Sequence, residues 1–114
     1  MKIINKVENA YCRQWVKELT EQAIQNSNLD CTKVVIDEFD FDMRISLEIN
    51  DKEYIIKVFD FLPLDCDTKG RVCRAMVSYT LFMMVEEEDG SGYGEEIDNN
   101  TLMLVWKNRE NSKA

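Results

Sequence analysis

The side chains able to do chemistry in this sequence are carboxylates, lysines, tyrosines and thiols. Residues 86–98 carry Glu86, Glu87, Glu88, Asp89, Glu95, Glu96 and Asp98, seven acids with no cation among them, interleaved with Gly90, Gly92, Tyr93 and Gly94. Dense carboxylates can hold a hard divalent cation, steer a basic partner, or keep a connection solvated. The glycines form neither a G-x-G-x-x-G nor a Walker A pattern, and the surrounding acid would repel a phosphate. A glycine-flexible loop also loses conformational entropy before it can coordinate a metal. The stretch is therefore expected to be a solvated connection or a docking surface for a basic protein. In the second case Glu86, Glu87, Glu88, Asp89, Tyr93, Glu95, Glu96 and Asp98 form its contact set.

Two further acidic groups are weaker. Asp65-Cys66-Asp67-Thr68-Lys69-Gly70 begins like a calcium-binding EF-hand loop, but Lys69 stands at position 5 where an oxygen ligand belongs, and Met76 stands at position 12 in place of a bidentate Glu. A plain turn is the expectation. Asp40 and Asp42 alternate with apolar neighbours, which puts them on a solvated strand face beside Glu48. That position lacks the cleft and the raised carboxyl pKa that a glycosidase pair needs.

Histidine is absent, which removes Ser-His and Cys-His nucleophilic catalysis, imidazole acid-base chemistry and histidine-ligated metals. The four cysteines, Cys12, Cys31, Cys66 and Cys73, contain no C-x-x-C spacing and read as buried thiols in a reducing compartment. No catalytic, metal or cofactor motif emerges. With 22 acidic against 14 basic residues and a net charge of −8, the long-range field also disfavours nucleic acid and anionic lipid. The densest basic group, Lys69, Arg71 and Arg74, is diluted by Asp65 and Asp67.

The elements that must position these groups follow from periodicity. Ile4, Val7, Tyr11, Trp15, Leu19 and Ala23 recur every three or four residues, predicting an amphipathic helix over about 4–25 that stops at Asn26-Ser27-Asn28. The period then becomes two. Phe39, Phe41, Met43, Ile45, Leu47 and Ile49 hold the odd positions of an eleven-residue strand, with Val34-Val35-Ile36 upstream and Asp37-Glu38 as a turn or bulge between. A turn at residues 50–53 predicts a hairpin in which Ile45 and Leu47 oppose Ile56 and Tyr54. Pro63 is expected to end that second strand. A long strand over 71–85 follows, apolar on its odd face and half apolar on its even face. After the acidic loop, a last strand is expected over 101–107, with a frayed tail from about 108.

A chain of 114 residues with 45% hydrophobic and 32% charged residues fits a single globular domain over residues 1–114. The order of elements predicts an α+β fold, an N-terminal amphipathic helix packed across a four- or five-stranded antiparallel β-meander. The half-apolar even face of the 71–85 strand predicts a homodimer. The beginning of the sequence offers too few apolar residues for a signal segment, and no stretch is apolar enough to span a membrane, so a cytoplasmic protein is expected. Functionally, a non-enzymatic interaction module of the inhibitor, immunity or accessory type is expected. The alternative is a small-ligand domain or histidine-free enzyme with a pocket between helix and sheet lined by Tyr11, Trp15, Tyr79 and Met83.

Overall fold

A computed structural model of the chain describes residues 1–40 and 42–105. Seven elements follow in order: β1 (Lys2–Asn5), α1 (Ala10–Ser27), β2 (Lys33–Phe39), β3 (Arg44–Ile49), β4 (Lys52–Cys66), β5 (Val72–Glu86) and β6 (Gly92–Val105). One helix thus packs on a six-stranded, mostly antiparallel sheet in the order β1-β2-β3-β4-β5-β6, which is the expected α+β class. The strand count exceeds the expected four or five, and the pairing of β1 with β2 is parallel.

The extra strand takes in Ile4 and Asn5, the first residues assigned to the helix. Ile4 and Val7 fall in phase with the helical stripe, but Lys2–Asn5 runs beside β2, with Lys2 opposite Lys33 and Ile4 opposite Val35. The helix begins instead where Asn9 caps it, its Oδ1 accepting the Tyr11 and Cys12 amides at 2.9 and 3.2 Å. It ends at the expected cluster, where Asn28 turns into the left-handed region at φ 56° and gives its amide to the Gln25 carbonyl.

The strict alternation from Phe39 to Ile49 conceals a chain reversal. Asp40 Oδ1 accepts the Asp42 and Arg44 amides at 3.0 and 3.3 Å, Met43 adopts φ 62°, and the chain doubles back from β2 into β3. Asp40 and Asp42 therefore occupy a turn, paired with Arg44 at 3.3 and 3.6 Å, and are not on a strand face beside Glu48. Asp37 is the bulge that re-registers β2 against β3, one of the two forms expected there. The next hairpin has the expected register, Ile45 opposite Ile56 and Leu47 opposite Tyr54, closed by Asn50 and Asp51 at φ 50° and 68°.

Pro63 does not end β4. The strand continues to Cys66, paired with β5, because residues 59–66 lie past the end of β3 and, among the described residues, have a strand neighbour on one side only. A proline is tolerated on such an edge. A bulge at Phe59 shifts the phase, so that Phe61 and Pro63, opposite Val77 and Ala75, take the helix-facing side. The 67–70 turn is the expected plain turn. Asp67 Oδ1 accepts the Lys69 and Arg71 amides at 2.9 Å each, and Oδ2 accepts Arg71 Nε at 2.7 Å.

Strands β4 and β5, 15 residues each, would span roughly 50 Å at 3.3 Å per residue. That length accounts for the 53 Å long axis. The core lies between α1 and the inner sheet face, built from Trp15, Val16, Leu19, Ala23 and Ile24 against Ile36, Ile45, Leu47, Ile56, Val77, Tyr79, Leu81 and Leu104. The outer face has no second layer among the described residues. There Leu62, Met76 and Met103 stand opposite one another across β4, β5 and β6, with Leu62 and Met103 about half exposed. Phe41, Trp106 and the tail from residue 108 lie outside the described residues.

Candidate functional site

The acidic residues 86–98 are not one loop. Only residues 87–91 form the connection, a tight turn in which the Glu87 amide reaches the Ser91 carbonyl at 2.7 Å and the Gly90 amide reaches the Glu87 carbonyl at 3.1 Å. Gly90, at φ 86°, supplies the left-handed step. Residues 92–100, expected in the loop, extend β6 against β5, with Glu95 opposite Met83, Glu96 opposite Phe82 and Asp98 opposite Leu81. The glycines that suggested flexibility fit the strand for a steric reason. A Cβ on Gly94 would meet the Phe82 ring at 3.3 Å, so the aromatic side chain covers the bare backbone across the strands.

The expected contact set divides by role. Glu86, Glu87, Glu88, Glu95 and Glu96 are exposed, and Tyr93 is 48% exposed beside them. Asp89 serves its own turn, accepting the Ser91 hydroxyl at 2.6 Å and amide at 3.0 Å, and these bonds hold its carboxyl below the usual range. Asp98 turns inward and accepts the Tyr79 hydroxyl at 2.8 Å. Burial, then the Asp98 hydrogen bond and charge, push the Tyr79 phenol well above its usual value. The hydroxyl therefore joins β5 to β6.

Because alternate strand residues point to opposite faces, the neighbouring Glu95 and Glu96 straddle β6. The carboxylates wrap a sheet edge instead of tiling one plane. The β3–β4 turn lies beside the β5–β6 turn, and a groove of about 610 Å³ between them brings Asp51 and Glu53 next to Glu86, with Lys52 as the cation on its wall. Asp51 and Glu53 are 35 and 33 residues from Glu86 in the chain, and only strand order brings them together.

The four residues of the expected ligand pocket are distributed differently. Trp15 is buried with its ring 5.2 Å from Phe39 and 5.1 Å from Phe61, centroid to centroid, and Tyr79 is fully buried in the core. Tyr11 projects from the helix at 42% exposure, and Met83 is half-buried against the core edge. Aromatic rings fill the space beside the indole that the pocket required. Among the described residues, no group of three or more Cys, Asp or Glu side chains is placed to hold a metal ion, and no helix is long and apolar enough to cross a membrane.

The four cysteines form no disulfide: Cys12, Cys31 and Cys73 are half-buried, whereas Cys66 is exposed, against the expectation of burial. Its exposure follows from its place at the far end of β4, which runs past β3 and pairs with β5 alone there. Comparison of the chain with family models, with curated proteins and with solved structures gave no match.

Proposed function

We propose that the chain is a small acidic interaction module of the inhibitor, immunity or accessory type, without catalytic activity, that docks a basic surface of a partner protein. The observation that carries this reading is the turn end of the sheet. Glu86, Glu87, Glu88, Glu95 and Glu96 are exposed on a hairpin ordered by its own hydrogen bonds, with Asp51 and Glu53 beside them. A preformed charged surface loses little entropy on association and mainly accelerates encounter. The same field opposes direct binding of nucleic acid. The absence of a disulfide among the four cysteines supports a reducing compartment, the cytoplasm. The outer row Leu62, Met76 and Met103 supports self-association as part of the same reading.

The test is a parallel capture from cells of the source organism with the wild-type chain and with Glu86→Gln/Glu87→Gln/Glu88→Gln, which leaves the Asp89 turn intact. A protein held by the wild type at about 50 mM salt, released by about 500 mM as the Debye length falls roughly threefold, and lost with the variant supports the reading. For that partner the variant's low-salt on-rate should be lower by roughly tenfold. Identical capture and identical on-rates for the two proteins would exclude the acidic turn as a docking surface.

A further inference from the structure

Ile45, Leu47 and Ile49 are buried in the core, so alternation places Arg44, Ser46 and Glu48 on the outer face of the sheet. Followed across the register, that face carries one continuous row from β2 to β6: Glu38, Ser46, Ile55, Phe82 and Glu96. Ile55 and Phe82 at its centre are apolar and half-buried, and Glu38 and Glu96 at its ends are exposed. Nearer the β3–β4 turn, Glu48 stands directly opposite Glu53. Like charges facing each other across a strand pair destabilise a sheet. Among the described residues, none of Glu38, Glu48, Glu53 and Glu96 is in an ion pair. The cations of the neighbouring row are committed elsewhere, Arg44 to Asp40 and Asp42, and Lys57 to the Phe59 ring at 5.5 Å from its centroid.

Glu48 on β3 and Glu96 on β6 lie three strand spacings apart, roughly 14 Å, on either side of the β4–β5 pair that carries Ile55 and Phe82. An α-helix with its side chains is about 10–12 Å across. A helix lying along β4 and β5 would therefore set an apolar stripe on Ile55 and Phe82 and hold a cation over each acidic flank. Met84 shares the Phe82 face by alternation and also lines the groove between the two turns. There Asp51, Glu53 and Glu86 add charge at the end of the same track.

We propose that the outer sheet face around Ile55 and Phe82 docks an amphipathic helix of the partner protein, with its apolar stripe flanked on both sides by lysine or arginine. Such helices are read through side chains at i, i+3, i+4 and i+7. Charge complementarity decides the occupant, because carboxylates without a cation border the apolar centre on both sides. A second copy would bring a net charge of −8, and its α1 already buries its apolar stripe in its own core. The opposed Glu48 and Glu53 cost the free sheet stability that the cations of a bound helix restore. The inference rests on the chain being an acidic docking module, and names the element that the partner presents.

The probe is a lysine-leucine peptide of about four helical turns, roughly 14 residues, with leucine at i, i+3, i+4 and i+7 and lysine on both sides of that stripe. Its twin has the same composition with the leucines spread around all faces, so that charge is kept and the stripe is lost. With the full-length chain, the striped peptide should bind tighter than the twin by roughly tenfold or more and shift the amide signals of Ile55, Phe82 and Glu96. Glu48→Gln/Glu53→Gln should weaken binding by roughly three- to tenfold while leaving Tm unchanged or higher, since it removes a like-charge contact. Equal binding of the two peptides would overturn the helix while leaving an electrostatic docking module intact. No binding at millimolar peptide would overturn the proposal, as would shifts confined to other parts of the sheet. A fall in Tm of the Glu48→Gln/Glu53→Gln protein would also overturn it, by making the pair structural. The Glu86→Gln/Glu87→Gln/Glu88→Gln variant should still shift Ile55 and Phe82 on binding the striped peptide, so failure of the turn and failure of the face are separable.

Discussion

Replacing Tyr79 with phenylalanine removes one hydroxyl from the middle of the core. The phenol is fully buried and donates to Asp98 Oδ2 at 2.8 Å. A hydrogen bond to a charged group contributes roughly 1.5–3 kcal/mol. Asp98 is only half-buried, so water can replace part of the lost donor, and the lower end, about 1.5 kcal/mol, is expected at neutral pH. With about 2.1 cal/mol/K of unfolding entropy per residue over 114 residues, Tm should fall by about 6 °C. The pH dependence provides the sharper check. The folded state holds the Tyr79 proton well above the ordinary value of 10, where the unfolded chain releases it. This contribution is therefore complete below pH 10 and is lost as pH rises from 10 toward the folded value. Each pH unit in that window removes about 1.4 kcal/mol, so the wild-type advantage over Tyr79→Phe should vanish near about pH 11. Urea unfolding of both proteins from pH 7 to pH 11 measures the difference directly, because the other tyrosines cancel. Equal stability at pH 7, or two curves that stay parallel above pH 10, would refute the reasoning.

In native maleimide labelling, Cys66 should react first, while Cys12, Cys31 and Cys73 lag and the Cys12 and Cys31 thiols are further slowed because burial pushes them up; uniform slow labelling would contradict the exposure of the β4 end. At Asp67, desolvation alone would raise the carboxyl, but the Arg71 and Lys69 hydrogen bonds and the Arg71 charge outweigh it and hold the group below its ordinary 3.8. Its stabilisation is complete above that value and is lost as pH falls through the folded one. Asp67→Asn should therefore flatten the decline in Tm below about pH 4, and an unchanged acid limb would count against the 67–70 turn. Light scattering at tens of micromolar should report a dimer mass if the Leu62, Met76 and Met103 row pairs two copies, and a monomer mass would show that the row stays solvated.

The sequence revealed those parts of the fold that local rules decide. Period two and a short turn were enough to set Ile45 against Ile56 and Leu47 against Tyr54, and the Asn-Ser-Asn cluster marked the end of the helix. It concealed the parts in which one pattern served two structures. Ile4 and Val7 extend a helical stripe equally well whether or not a strand forms, and only parallel pairing with β2 decides the matter. Alternation continues straight through Asp40 and Met43, and a methionine at φ 62° has no sequence signature. At the candidate site, acid and glycine in 86–98 read as loop because the Phe82 ring that shields Gly94 lies a strand away. Asp51 and Glu53 join the acidic end by strand order, which no local window contains.

The parallel pairing of β1 has a consequence for the order of assembly. Each of the other four ladders can close outward from its own turn, at residues 40–43, 50–51, 67–70 and 87–91. Lys2 meets Lys33 only across the whole of α1, so the loop-closure entropy for that ladder is met once the helix already lies on the sheet. β1 is then the last strand to dock and the first to leave. Disruption of its Ile3 or Ile4 should speed unfolding while leaving the folding rate nearly unchanged. A chain that has shed β1 alone presents the free edge of β2, with Val34, Val35 and Ile36 in succession, and such a native-like opening is where intermolecular strand pairing would begin.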